Sequence, residues 1–273
     1  MHLPLSLPHR AVIAVSGADA APYLHGILTA STLNLAEDVY RYGALLTPQG
    51  KVIADALILR RGEIVLLECA AGAAAALVKR LSLMKLRASV TIEERPDLGV
   101  TAFDGLPDPR SLHAPRRRIG PRTAPDDPKQ YHAARIAAGL PEQDVDFLAE
   151  EVFPADINMD LVGGVDFRKG CFVGQEVASR MKRRGTARRR SLKAEIAAGA
   201  KAGAAVLAGD YEIGKLTSVS GGAALARVRI DRLAEAWTTG EPLTVAGAPI
   251  VFDRPDWLAD ELAALSDARE AKA

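Results

Sequence analysis

The stretch Lys169-Gly170-Cys171-Phe172-Val173-Gly174-Gln175-Glu176 places one of only two cysteines beside a cation and just ahead of a helix start. A thiol acts as a nucleophile or metal ligand only as thiolate, and both a neighbouring ammonium and the positive end of a helix dipole favour that anion. Reactivity is therefore expected at Cys171, with Lys169 as its electrostatic partner. Gly170 and Gly174 free the backbone on either side to turn sharply or admit a ligand. Residues 175–183 read as a helix, acidic in its first turn, basic in its last and stopped by Gly185. The competing reading is a structural cysteine in a glycine-flanked loop.

Other residues could share in the chemistry. Lys169 could hold an anionic ligand group or be a solvated loop lysine. Asp55 follows Ile53 in a strand, where it is either a ligand contact or simply exposed. Asn158 could hydrogen-bond a ligand or cap a turn. Arg168, Lys169, Arg180, Lys182, Arg183, Arg184, Arg188, Arg189, Arg190 and Lys193 gather positive charge around the cysteine in a chain of net charge +1. This is either a solvated helix end and strand or a rim that attracts anions: an acidic partner, a polyanionic ligand or tRNA. The few aromatics among these cations give stacking recognition of nucleic acid no support.

The second cysteine, Cys69, sits in the apolar run Ile64-Val65-Leu66-Leu67-Glu68-Cys69-Ala70, a different context from Cys171, so no structural disulfide is expected. The histidines His2, His9, His25, His113 and His132 show no zinc spacing, and no intrinsic metal is expected. His25, in a helical stretch, reads as a satisfied or exposed histidine. No run of about eighteen apolar residues occurs, and the first eight residues have neither a charged start nor a continuous apolar core. Neither a membrane span nor a signal peptide is expected, and the expected location is cytoplasmic.

The elements that must position these residues follow from periodicity. Residues 10–16 read as an apolar strand, with Asp19 capping the helix after it. Residues 40–47, 51–60 and 64–69 read as strands of antiparallel hairpins, turned at Pro48-Gln49-Gly50 and Arg61-Gly62-Glu63. Residues 72–87 read as a helix with Leu77, Leu81 and Met84 on one face, and residues 90–92 return to strand. Residues 104–128, crowded with Pro and Arg, read as a surface connection. Residues 129–138 form a short helix ended by Gly139, and an extended acidic segment leads to the cysteine. From residue 188 short extended runs at 191–196, 211–219, 224–230 and 243–252 alternate with glycine turns, which predicts a small β-barrel or sandwich. The tail after Pro255 reads as an amphipathic helix whose last residues fray.

The motif K-G-C-[YF]-x-G-Q-E resembles the signature of the YgfZ-type folate-binding iron–sulfur assembly factors, relatives of the glycine-cleavage aminomethyltransferase. Support comes in chain order from residues 42–51, Asp108-Pro109-Arg110 with Gly120 and Arg122, residues 135–142, Phe153-Pro154-Ala155-Asp156-Ile157-Asn158-Met159 and Gly164-Val165-Asp166-Phe167. Residues 135–185 are especially similar to the mitochondrial branch, which assists maturation of four-iron, four-sulfur proteins. Where the enzyme carries G-G-x-x-D-D, this chain reads Gly50-Lys51-Val52-Ile53-Ala54-Asp55, and where its R-x-E-A-G glutamate holds the pterin, this chain has Ala137. Those departures argue against glycine cleavage, because a shared fold does not carry a shared reaction.

The resemblance implies an α+β fold: an aminomethyltransferase-like folate-binding body over residues 1–187, with a break near 95–128, a C-terminal β-barrel over 188–255, and a helical tail over 256–273. It implies tetrahydrofolate as ligand, held by Asp55, Arg135, Asn158, Lys169, Gly170, Gln175 and Glu176, with Cys171 and Lys169 as the reactive pair. Cys171 could be a transient cluster ligand or a redox thiol. The implied partners are iron–sulfur client enzymes or cluster carriers. The alternative is a folate-dependent one-carbon transferase or demethylase using Asp55.

Overall fold

The computed structural model describes residues 2–122, 124–185 and 187–270. Met1 and the expected fraying at 271–273 lie outside the described residues. The apolar runs of the first third are nearly unbroken because both faces of the sheet they build are covered. β1 (Leu5–Ser6) and β2 (Arg10–Ser16) lead into α1 (Ala20–Ile27), then β3 (Arg41–Leu46), β4 (Val52–Arg61) and β5 (Ile64–Ala70), α2 (Ala71–Met84) and β6 (Thr91–Glu94). Five of these strands form an antiparallel sheet in the order β3-β4-β5-β2-β6. Alternation sends Ile13, Val15, Ile58 and Leu67 to the face covered by Leu24 of α1 and by Leu77 and Leu81 of α2. The opposite face carries Val12, Ala14, Leu57 and Leu59, and it is equally buried.

That second face is closed by β7 (Gly99–Leu106) and β8 (Arg117–Gly120), which pair with β1 in the order β1-β7-β8, and by the turns that follow α3 (Pro128–Ala137). The surface reading of residues 104–128 holds for much of the segment, such as Leu112 and residues 125–128, but is corrected for its charged Asp108, Arg110 and Arg117. Arg117 has no exposed surface and Asp108 and Arg110 are almost fully buried. Arg117 donates to Asp108 at 3.0 Å, to Glu142 at 3.1 Å, and to Glu68 and Tyr131. Local composition suggested a solvated loop, but long-range carboxylates pull Arg117 out of it into the core. Asp19 is the N-cap residue of α1 as expected, but not through its side chain. Its carboxylate accepts from Ser89 N–H at 2.7 Å rather than from its own helix.

The cysteine loop leads into α4 (Gln175–Arg184), which the chain leaves through Gly185 in the left-handed region at φ 55°, as the sequence predicts. A closed barrel follows from β9 (Arg189–Ile196), β10 (Ala205–Ala208), β11 (Tyr211–Ser220), β12 (Ala223–Arg229), β13 (Leu243–Val245) and β14 (Ala248–Phe252), in the order β10-β11-β12-β9-β14-β13. Between β12 and β13 lies α5 (Ile230–Thr239), whose Ile230, Leu233 and Ala236 pack into the barrel core. The sequence reads as strand to residue 230, with no helix expected there, and α5 indeed starts straight out of a strand without a side-chain cap. The last element is α6 (Asp256–Glu270).

Burial alone would raise Glu142, but His9, whose Nε2 stands 3.6 Å from Glu142 Oε2, and the Arg10, Arg117 and Arg135 charges hold it well below the usual carboxylate range. Replacing Arg117 with Met would strand the Glu68, Asp108 and Glu142 carboxylates without their shared cation. Urea unfolding of Arg117→Met should show a loss of about 3–5 kcal/mol; a loss below about 1 kcal/mol would mean that the core does not depend on this guanidinium.

Candidate functional site

Cys171 is exposed while its neighbour Phe172 is buried in the core of the second sheet face. The loop is therefore anchored immediately beside the thiol. Gly174 lies in the left-handed region at φ 78°, and a Cβ there would meet the carbonyl oxygen of Thr47 at 2.6 Å and Cα of Gly50 at 3.1 Å. Only a residue without a side chain lets the β3–β4 turn press against the start of α4. On the other side of the thiol Lys169 and His25 of α1 clasp each other. His25 Nε2 donates to the Lys169 carbonyl at 3.0 Å, the Lys169 ammonium donates to the His25 carbonyl, and Ser31 Oγ supports His25 Nδ1 at 3.2 Å. Desolvation lowers the Lys169 pKa, against the pull of Asp166 and Cys171. The sequence paired Lys169 with the thiol but missed His25, which is 144 positions away.

A cavity of about 520 Å³ opens where the body meets the barrel, with Tyr42, Arg110, Leu161, Val162, Ser191 and Trp257 in its wall. Arg110 is held as a bidentate pair by Asp108, at 3.0 and 2.8 Å, and its guanidinium stands 5.4 Å from the centre of the Tyr42 ring. Ser191 Oγ is buried and has no hydrogen-bond partner among the described residues. Asn158 also lines the cavity, but its amide donates to the Ser191 carbonyl at 2.7 Å and so ties its turn to β9. Its φ of 62° is the conformation asparagine tolerates at a turn. Sequence reasoning missed Tyr42, Arg110 and Ser191 as site residues; a carboxylate two positions before Arg110 was the available signal.

Asp55 does not line the cavity; its Oδ2 accepts from the hydroxyl of Tyr42, a wall residue, at 2.8 Å. The exposed alternative for Asp55 is corrected, because the face opposite α1 and α2 is itself core and the residue is 1% exposed. Burial raises its pKa, and the Arg10 and Arg110 charges and the Tyr42 bond offset this only in part. Its Oδ1 has no partner among the described residues. Arg135 does not reach the cavity: it bonds to Asp146 and Ser218 at 2.6 Å each and to the Leu140 carbonyl at 2.9 Å, joining α3 to β11. Lys169, Gly170, Gln175 and Glu176 stay with the cysteine loop and the first turn of α4, outside the cavity wall. The expected basic rim is thinner than the sequence suggested. Arg190 is buried against Asp160 at 2.6 Å and Glu261 at 2.8 Å, and Lys193 pairs with Asp253 at 2.8 Å.

This body, with a cavity against a C-terminal barrel, is the aminomethyltransferase fold. The solved glycine cleavage system aminomethyltransferase T from Bartonella henselae matches it with a TM-score of 0.76, over 94% of this chain and 86% of that one, at 16% identity. Residues 188–260 match the family described as CAF17, C-terminal beta-barrel domain. The human iron-sulfur cluster assembly factor IBA57, mitochondrial, is 30% identical over 81% of this chain and 75% of its own. The IBA57 homolog of Pyricularia oryzae is 32% identical over 68% of this chain, which spans 56% of that relative's length. The mouse protein is 29% identical over 92% of this chain and 84% of its own. The chain belongs to the IBA57 family. The expected cytoplasmic location is corrected by the same finding, since these relatives are named mitochondrial.

Asp55→Asn keeps a Tyr42 partner and removes a buried charge. With the folded pKa raised, the wild type is favoured when protonated, and its penalty builds as pH rises from the unfolded value of about 3.9 through the folded one. Thermal melts should show Asp55→Asn gaining on wild type across that window and holding the gain above it. An equal loss at every pH would assign Asp55 a purely structural role.

Proposed function

We propose that this protein is an accessory factor in iron–sulfur cluster assembly, presenting Cys171 as a single soft ligand to a cluster carried by a partner. The observation that carries this reading is an exposed thiol on a backbone fixed on both sides, by Phe172 and Gly174 after it and by the Lys169–His25 clasp before it. Thiolate suits iron and sulfide, and a single cysteine cannot hold a cluster unaided. Among the described residues no group of three or more His, Cys, Asp or Glu side chains could hold a metal. The other ligands then come from the partner, and the cluster is cargo. The names of the relatives, iron-sulfur cluster assembly factors, support the same reading.

Tetrahydrofolate is the proposed occupant of the cavity, where it would supply a carrier of one-carbon units. The residues fit such a group. Apolar walls from Leu161, Val162 and Trp257 suit a ring system, Ser191 Oγ offers an unused donor and acceptor, and Arg110 brings positive charge already fixed by Asp108. A second reading, folate-dependent one-carbon transfer, is favoured by one observation: a buried carboxylate, Asp55, with one unpartnered oxygen and a hydroxyl link to the cavity wall.

Cys171→Ser should fold as wild type, because the change is nearly isosteric and at an exposed position, yet fail to restore iron–sulfur enzyme activity in cells lacking the native protein. Full restoration would move the working centre away from the thiol. Tetrahydrofolate should raise the melting temperature, with about 2.7 kcal/mol of stabilisation at a hundredfold excess over Kd. Val162→Trp, which fills the cavity from a loop, should abolish that shift. A folate-dependent turnover that disappears in Asp55→Ala would favour the transferase reading instead.

A further inference from the structure

A second cleft, of about 550 Å³, runs between the β3–β4 turn, the 151–156 turn, α4 and the barrel. Its wall carries six cations, Lys51, Arg188, Arg189, Lys215, Arg227 and Arg229, against three carboxylates, Glu151, Asp156 and Glu212. The strand register makes the excess more than a matter of composition. Arg189 of β9 stands directly opposite Arg229 of β12, and Arg227 of β12 directly opposite Lys215 of β11. Like charges in facing positions of an antiparallel pair destabilise it. Two such pairs on three adjacent strands are a cost that barrel closure does not require.

Internal carboxylates neutralise only part of this plaque. Glu151 takes Arg227 and, at 3.4 Å, Lys215, while Arg229 pairs with Asp231 at 2.7 Å. Asp156 is turned to its own backbone, accepting the Phe153 N–H at 2.9 Å. Among the described residues the guanidinium groups of Arg188 and Arg189 form no hydrogen bond or ion pair; Asp231 and Asp156 attract them at longer range. The basic last turn of α4, with Lys182, Arg183 and Arg184, continues the positive field from the edge of the cleft.

We propose that this cleft docks an acidic polypeptide segment of a partner protein. The charge is spread along three strands and a helix end, which matches a chain of carboxylates better than one phosphate. The half-buried Phe153 and Met181 among the cations suit apolar side chains interleaved with acidic ones. Nucleic acid is disfavoured because the wall has a single aromatic among the described residues, Phe153, and the Lys51 ammonium stands 3.8 Å from its ring centre. α4 carries both features, with the thiol loop at its start and Met181 of the cleft near its end. That the docked partner is the one sharing the cargo of Cys171 rests on the cluster-assembly reading; the acidic docking itself does not.

The test is fluorescence anisotropy of a labelled peptide of repeating Glu-Glu-Leu against the full chain at low and physiological salt. Binding should weaken with salt and fall about tenfold or more in Arg188→Glu/Arg189→Glu, while Arg87→Glu, exposed elsewhere, leaves it unchanged. Arg188→Gln/Arg189→Gln, which removes charge without adding repulsion, should show a smaller loss and serves if the reversal variant melts early. Cys171→Ser should bind the peptide as wild type does, so a failure of the cysteine reading and a failure of this one are separable. No binding at low salt, binding indifferent to both double variants, or a single-stranded RNA of matched charge bound more tightly through the same arginines would overturn the proposal.

Discussion

A guanidinium with no exposed surface has to be met by acceptors on every side, and Arg117 is met by Glu68 of β5, by Asp108 of the long connection, by Tyr131 of α3 and by Glu142 of the turn beyond it. The desolvation of so many charges is expensive and has to be offset by close opposite charges and hydrogen bonds in a narrow range of geometries. That condition fixes the relative positions of both sheets and α3. Arg10 adds a second cation to Glu68 at 3.1 Å, and Arg110 shares Asp108 with Arg117. Through Asp108 the same network holds Arg110 in the wall of the cavity, so the charge offered to a ligand is a by-product of what closes the core. The network also reaches the barrel, because Arg135, 3.6 Å from Glu142, continues to Asp146 and Ser218.

Elements that depend on local chemistry were legible in the sequence. α4 announced itself by its acidic start, basic end and terminal glycine, and the hairpins of the large sheet by apolar runs and turn residues. What depends on distant pairing was not. Residues 104–128 carry the composition of a solvated loop, and only Glu68, 49 positions from Arg117, reveals why the arginine is inside. Asp55 stood open between a ligand contact and an exposed residue because strand alternation states which residues share a face and not whether that face is covered. Arg135 looked like a ligand contact and is a brace between α3 and β11, a job set by Ser218, 83 positions away.

The cavity and the thiol are separate in space but share a wall. Tyr42 and Ile157 line the cavity and belong to the same packed cluster as Phe172, the residue next to Cys171. Close-packed interiors transmit displacement because they have no slack to absorb it. A ligand that moves Tyr42 therefore acts on both Asp55, through the hydroxyl bond at 2.8 Å, and the anchor of the thiol loop. The aminomethyltransferase fold supplies the cavity, and the residues around it decide what is done there.

α4 links the thiol loop to the basic cleft along the chain. Its start is fixed by the approach of Gly174 to Gly50, where a Cβ would lie 3.1 Å from Cα of the other glycine, so the helix cannot slide without opening the β3–β4 turn. Lys51, the next residue of that turn, lines the basic cleft, and Met181 lines it from the helix three residues before α4 ends. A partner held by the cleft would thus lie along an element whose first residues follow the exposed thiol. Electrostatic attraction spread over a surface raises encounter rates and fixes orientation more than it adds affinity. That is the behaviour suited to a site with a single soft ligand, where the partner must arrive in the correct orientation and must also leave.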